Sequence, residues 1–152
     1  MKNIAILLAI ACLLTALCGC GGKKELVPQT LAEELLSKAS FTDSLDRMED
    51  NTIPLVYGIE KEDFTAALVY AGAGGVTAEE IAVFTAVDGA AADRILSAVQ
   101  ARVANRVESF KTYYPAAVPI LEKAIVEKKD NTVVLVICSD SDAAAKIVGE
   151  YI

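Results

Sequence analysis

Hydrophobic positions change their period several times along the chain, and each change marks an element. Residues 4–17 form an uncharged run, mostly Leu, Ile and Ala, with no polar face. Residues 64–71 (FTAALVYA) and 80–87 (EIAVFTAV) are apolar on both alternating faces, as in well-covered strands. Gly72-Ala73-Gly74-Gly75 joins them as a hairpin. From 91 to 114 the period becomes helical: Ile95, Val99, Val103, Val107, Phe110 and Tyr114 recur at spacings of three or four, in one stripe. Asp93 near its positive end and Lys111 near its negative end suit the helix dipole, and Pro115 stops it. Residues 124–128 and 132–138 (TVVLVIC) read as a second hairpin about Asp130-Asn131, two residues that tolerate positive φ. Residues 140–152 close the chain as an amphipathic helix, with Ala143, Ile147 and Tyr151 spaced by four.

The segments between are less regular. Thr30, followed three residues later by Glu33, has the form of a capping box for a first helix striped by Leu31, Leu35 and Leu36. Residues 41–51 are polar and read as a loop or a broken turn. Residues 53–59 suggest a strand that Pro54 would confine to an edge. Residues 118–123 suggest a short helical turn. Hairpins separated by a long helix predict an α+β domain: an antiparallel sheet of about four to five strands, with the long central helix and the terminal helices on one face.

The N-terminal run belongs to a different physical context. Lys2 precedes it, and Leu17-Cys18-Gly19-Cys20 follows: hydrophobic at −3, small at −1, cysteine at +1. This resembles a lipobox, in which a thiol accepts a diacylglyceryl group before cleavage. Cys18 would place Leu17 at the small position, and Cys12 falls too early. Cys20 is therefore the expected lipidation site. A transmembrane anchor is the competing reading, but the run is shorter than the roughly 20 residues a span needs. The expected organisation is a signal peptide over 1–19, a lipidated N-terminus and tether over 20–29, and one globular domain over 30–152.

Composition narrows the chemistry. The chain carries a net charge of −7, and losing the signal removes only Lys2, making it one unit more negative. Such a domain is repelled by phosphate backbones, so no nucleic-acid partner is expected. The sequence contains no histidine. Ser-His-Asp and Cys-His activation and His-ligated metals are thereby excluded. Cys138 at the end of an apolar strand reads as a small buried hydrophobe.

Residues 75–84 (GVTAEEIAVF) resemble the signature of an uncharacterised lipoprotein family, mostly from Gram-positive anaerobes, classed as a domain of unknown function. Arg102, the Tyr113-Tyr114-Pro115 turn and the late strand over 132–138 match as well, so the likeness runs in order over roughly residues 30–152. Asn105 and Ala116 depart from its pattern, where a glutamine and a more acidic residue would be expected. The resemblance implies the outer face of the cytoplasmic membrane and brings no activity with it.

Candidate site residues are few. Glu79 and Glu80 are paired carboxylates, a combination that can serve as general acid and base. Adjacent strand residues, however, face opposite ways, so one pairing with Arg102 or capping the hairpin is the simpler expectation. Asp140, within Ser139-Asp140-Ser141-Asp142, could contribute to a Ca²⁺ site, though a helix cap is the commoner role and the EF-hand spacing is missing. Arg94, Arg102 and Arg106 could receive a carboxylate or phosphate; a solvated helix face is the plainer reading. Tyr113 and Tyr114 could form an aromatic lip, with at least one continuing the apolar stripe. Gly72 to Gly75 lacks the following Lys-Ser/Thr and helix of a phosphate loop. No metal and no cofactor are expected.

The sequence thus points to a non-enzymatic, lipid-anchored extracytoplasmic domain whose partners are membrane lipid, through the anchor, and an unidentified protein or envelope component. A cell-envelope hydrolase using Glu79 or Asp140 with Arg102 is the alternative. It requires two carboxylates converging in a pocket within about 10 Å. A solute-binding lipoprotein closes two lobes on its ligand, and one small core leaves no room for that.

Overall fold

A strand with no polar alternation has no side to turn to water, so it must be covered on both faces. The computed structural model, which describes residues 23–73 and 77–152, meets that demand with helices on both sides of one sheet. In chain order it contains α1 (Pro28–Lys38), β1 (Leu45–Arg47), α2 (Ile53–Tyr57), β2 (Phe64–Gly72), β3 (Glu80–Ala86), α3 (Gly89–Tyr113), α4 (Val118–Leu121), β4 (Ile125–Lys129), β5 (Thr132–Ile137) and α5 (Ser141–Gly149). The five strands are antiparallel throughout, in the order β1-β2-β3-β5-β4. The expected signal peptide over 1–19, Cys20 and the loop residues Gly74 and Gly75 lie outside the described residues.

The α+β class, both hairpins and the central helix are as expected. The helices are divided between the faces, however, rather than gathered on one. Ala82, Phe84, Val133 and Leu135 meet α2, α3 and α4 on the first face. Ile81, Val83, Val134 and Val136 meet α1 and α5 on the second. β3 is the centre of both cores, and only Thr85 among its residues is not fully buried. Each large apolar side chain buried there contributes about 1.5–3 kcal/mol relative to exposure.

Three local expectations fail for identifiable reasons. Residues 53–57 are helical: Pro54 sits in the first turn, where its missing N–H costs nothing, and Gly58 ends the helix at φ 65°. The edge strand is β1, inside the polar stretch read as a loop; pairing with β2 creates it, Leu45 opposite Gly72 and Arg47 opposite Tyr70. Thr30 caps nothing, because α1 starts at Pro28, again with proline in the first turn. The turn at Asp130 does use positive φ, at 50°.

Residues 23–27 lie against the domain. The Lys24 N–H donates to Glu150 O (2.6 Å), Lys23 Nζ donates to Gly149 O (2.5 Å), and Leu26 packs on the second core. Glu34 on α1 anchors this seam, accepting from Lys38 Nζ (2.5 Å), Tyr151 OH (2.5 Å) and Lys24 Nζ (2.9 Å). Among the described residues, no helix is long and apolar enough to cross a membrane.

Two predictions follow from these contacts. The bonds from Lys38, Tyr151 and Lys24 lower the Glu34 carboxyl from its ordinary 4.5 to about 2. A carboxyl depressed by folding stabilises the fold fully above its ordinary value, and that contribution is lost as pH falls toward 2. Melting temperature should therefore drop more steeply over this window in the natural protein than in Glu34→Gln. At the end of β2, a Cβ on Gly72 would stand 1.8 Å from Thr77 Oγ1. Gly72→Ala should cost about 1–3 kcal/mol by urea unfolding, and adding Thr77→Ala should recover more than half of it.

Candidate functional site

Residues one helical turn apart share a face, and alternate strand residues share a side of the sheet. Those two periods bring Arg102 and Arg106 of α3 over Glu80, the first residue of β3, on the side where Ala82 and Phe84 face the first core. The Glu80 carboxylate is wholly buried. Its Oε1 accepts from Arg102 Nε (3.0 Å) and from the Tyr57 hydroxyl. Its Oε2 accepts from Arg102 Nη2 (2.8 Å) and Arg106 Nη1 (2.6 Å). Arg106 Nη2 also donates to Thr77 O at 3.1 Å, and Arg102 Nη1 to Val56 O at 3.4 Å.

Aromatic faces hold both guanidiniums in place. Arg102 lies over the Tyr57 ring, 4.8 Å from its centroid, and Arg106 over Phe110 at 5.4 Å. Tyr57 in turn packs edge-on against Phe84, with ring centroids 4.9 Å apart. Burial, and then the charge of Glu80, push the Tyr57 hydroxyl well above the ordinary tyrosine value, so it remains a neutral donor. The expectation of a solvated arginine face holds for Arg94, which is exposed, but not for the other two: only 19% of the Arg102 side chain and 17% of Arg106 are exposed. Arg94 is also engaged, with Nη2 2.6 Å from Asp63 Oδ1.

Glu79 turns to the other side. Its carboxylate accepts from Thr42 N (2.7 Å), Thr42 Oγ1 (2.8 Å) and Asp43 N (3.1 Å), tying the loop before β1 to the start of β3. The two glutamates are thus held by separate partners on opposite faces. Asp140 caps α5, accepting from Ala143 N at 3.0 Å. Among the described residues, no group of three or more Cys, Asp or Glu is placed to hold a metal ion. Cys138 is buried, and burial pushes its thiol up to about 11.

Tyr113 and Tyr114 are both exposed. Tyr113 keeps contact with the core through Phe110, at 4.6 Å between ring centroids. Tyr114 does not continue the stripe, because α3 ends at Tyr113 and the chain turns away before Pro115. The sequence reading missed Tyr57, hidden in a segment read as a strand. It also missed Arg106 as the second partner of Glu80, although the i, i+4 spacing from Arg102 was there to be used.

Beside this cluster an open cleft of about 460 Å³ runs between α2 and α3, with Arg102 and Arg106 in its wall. Removing Glu80 would leave two largely buried guanidiniums facing each other. Glu80→Ala should therefore destabilise by about 3–5 kcal/mol in urea unfolding. Arg106→Ala should cost less than Arg102→Ala, because Arg102 alone grips both carboxylate oxygens.

A family pattern matches residues 37–138, which takes in β1 to β5 together with Glu79, Glu80, Arg102 and Arg106. No curated protein and no solved structure matches the chain. By a match over most of its length, the chain belongs to the family described as Domain of unknown function (DUF4358).

Proposed function

We propose that this chain is a lipid-anchored extracytoplasmic domain, held through Cys20 at the outer face of the cytoplasmic membrane, and that it binds a protein or envelope component without catalysis. Support for the anchor comes from the sequence: Lys2, the apolar run over 4–17 and Leu17-Cys18-Gly19-Cys20 follow the order a lipoprotein signal requires. Two or more acyl chains, at about 0.8 kcal/mol per buried CH₂, would make the attachment effectively permanent.

One observation carries the preference for binding over catalysis. The carboxylates a hydrolase would need are taken up by the fold itself: Glu79 by Thr42 and Asp43, Glu80 by Tyr57 and two arginines, Asp140 by the start of α5. Arg102, which the hydrolase reading would enlist, is paired with Glu80 through Nε and Nη2, so among the described residues no carboxylate is left beside it to act as acid or base. What remains open is a cleft walled by cations.

The docking of residues 23–27 adds an orientation to this reading. Lys23 is three residues after Cys20, a reach of roughly 10 Å at full extension. The seam between α1 and α5 would then lie near the lipid surface, and the cleft between α2 and α3 would be on the opposite face of the sheet.

Cys20→Ala should abolish the diacylglyceryl mass on the mature N-terminus and release the protein from the membrane fraction. A variant that remained in membranes without lipid would contradict the anchor. Crosslinking in intact cells should capture a partner with the natural protein and not with the released variant.

A further inference from the structure

The cleft between α2 and α3 has a charge imbalance that the fold does not resolve. Among the described residues its charged lining is Arg102 and Arg106, with no acidic side chain, although the chain as a whole carries a net charge of −7. Two guanidiniums share a single carboxylate, Glu80, which leaves one positive charge uncompensated in a mostly buried setting. The donors are in excess as well. Among the described residues these arginines make five hydrogen bonds, which use half of the N–H groups that two guanidiniums carry, and Arg106 Nε has no acceptor there. The same imbalance appears in their proton affinities. At Arg102 burial opposes the charge but Glu80 outweighs it; at Arg106 burial prevails over Glu80, with Arg102 adding to it, and the affinity is lowered.

Two further features shape the cleft. Stacking on Tyr57 and Phe110 fixes the guanidinium planes before any ligand arrives, which reduces the ordering cost of binding. At the mouth stands Leu55, which is 85% exposed, the most exposed of the large apolar side chains among the described residues. Asn105, exposed on the α3 wall, adds a neutral polar group to the lining.

We propose that this cleft binds the carboxylate of a ligand that carries an apolar group beside it, the carboxylate bonding to Arg102 and Arg106 and the apolar group resting on Leu55. The charge count selects a monoanion such as a carboxylate over a phosphate dianion. One negative charge cancels the excess, whereas a dianion would overshoot it and face Glu80 behind the arginines. Arginine forks match carboxylate geometry and bind it with charge-assisted hydrogen bonds. This assignment rests on the binding-module reading and gives that module a ligand class; it does not depend on the anchor.

The test is titration calorimetry of the full chain in detergent micelles, with N-acetyl-leucine, its uncharged amide and inorganic phosphate as probes. N-acetyl-leucine should bind saturably at one site at millimolar concentration, and the amide should not bind. Arg106→Gln should weaken binding by about tenfold. Leu55→Ser, a change at an exposed position that leaves the fold intact, should weaken it severalfold while urea unfolding stays unchanged. The proposal is overturned if N-acetyl-leucine does not bind, if the amide binds equally, if phosphate binds more tightly, or if neither substitution alters binding. Cell crosslinking that still captured a partner after such a failure would leave the binding module standing and move its ligand surface elsewhere.

Discussion

The fold turns on one buried carboxylate. Removing Glu80 from water costs several kcal/mol, and the structure offsets that cost by surrounding it with donors from two elements: α2 supplies Tyr57, and α3 supplies Arg102 and Arg106. Each donor is positioned by packing elsewhere, Tyr57 against Phe84 and Arg106 against Phe110. A short helix of five residues such as α2 has little stability of its own. Its place on the sheet depends on Ile53 and Tyr57 being buried and on Tyr57 reaching Glu80. The cleft between α2 and α3 exists because that contact holds both helices to the same strand end.

How much of this could be read from sequence depends on the length over which each signal accumulates. The helix α3 is 25 residues long and the strands of both hairpins are long apolar runs, so their periods identify them. β1 is three residues with no apolar alternation, and only its pairing with β2 makes it a strand. Pro54 is compatible with an edge strand or a helix start, and the tertiary partner of Tyr57 decides between them. The placement of helices on both faces was implicit in residues that were apolar at odd and even positions alike, since such strands need two covers. At the site, the divergence of Glu79 and Glu80 followed from the two-residue strand period. The burial of Arg102 and Arg106 did not, because helical spacing says which residues share a face and not what that face meets.

The domain is two-sided in a way that connects the anchor to the cleft. Lys23 and Lys24 bind the C-terminal end of α5 and the acidic residues Glu34 and Glu150, closing the second face where the chain enters. The first face carries the arginine-walled cleft and the exposed Leu55. In the proposed lipoprotein, a tether of few residues would hold the entry side to the lipid and present the cleft away from it. An acidic domain attached by acyl chains would need no basic patch for the membrane, and so its uncompensated positive charge would be available for a ligand.

The account depends most on Glu80 acting as a clamp through its arginines rather than as a reactive acid. A double-mutant cycle of Glu80→Gln with Arg102→Gln, read by urea unfolding, addresses this directly. The clamp predicts strong coupling between the two positions, about 2 kcal/mol or more, since either change alone removes the two-bond partner of a group held in a buried site. Additivity within about 0.5 kcal/mol, with the fold intact in all four proteins, would contradict it.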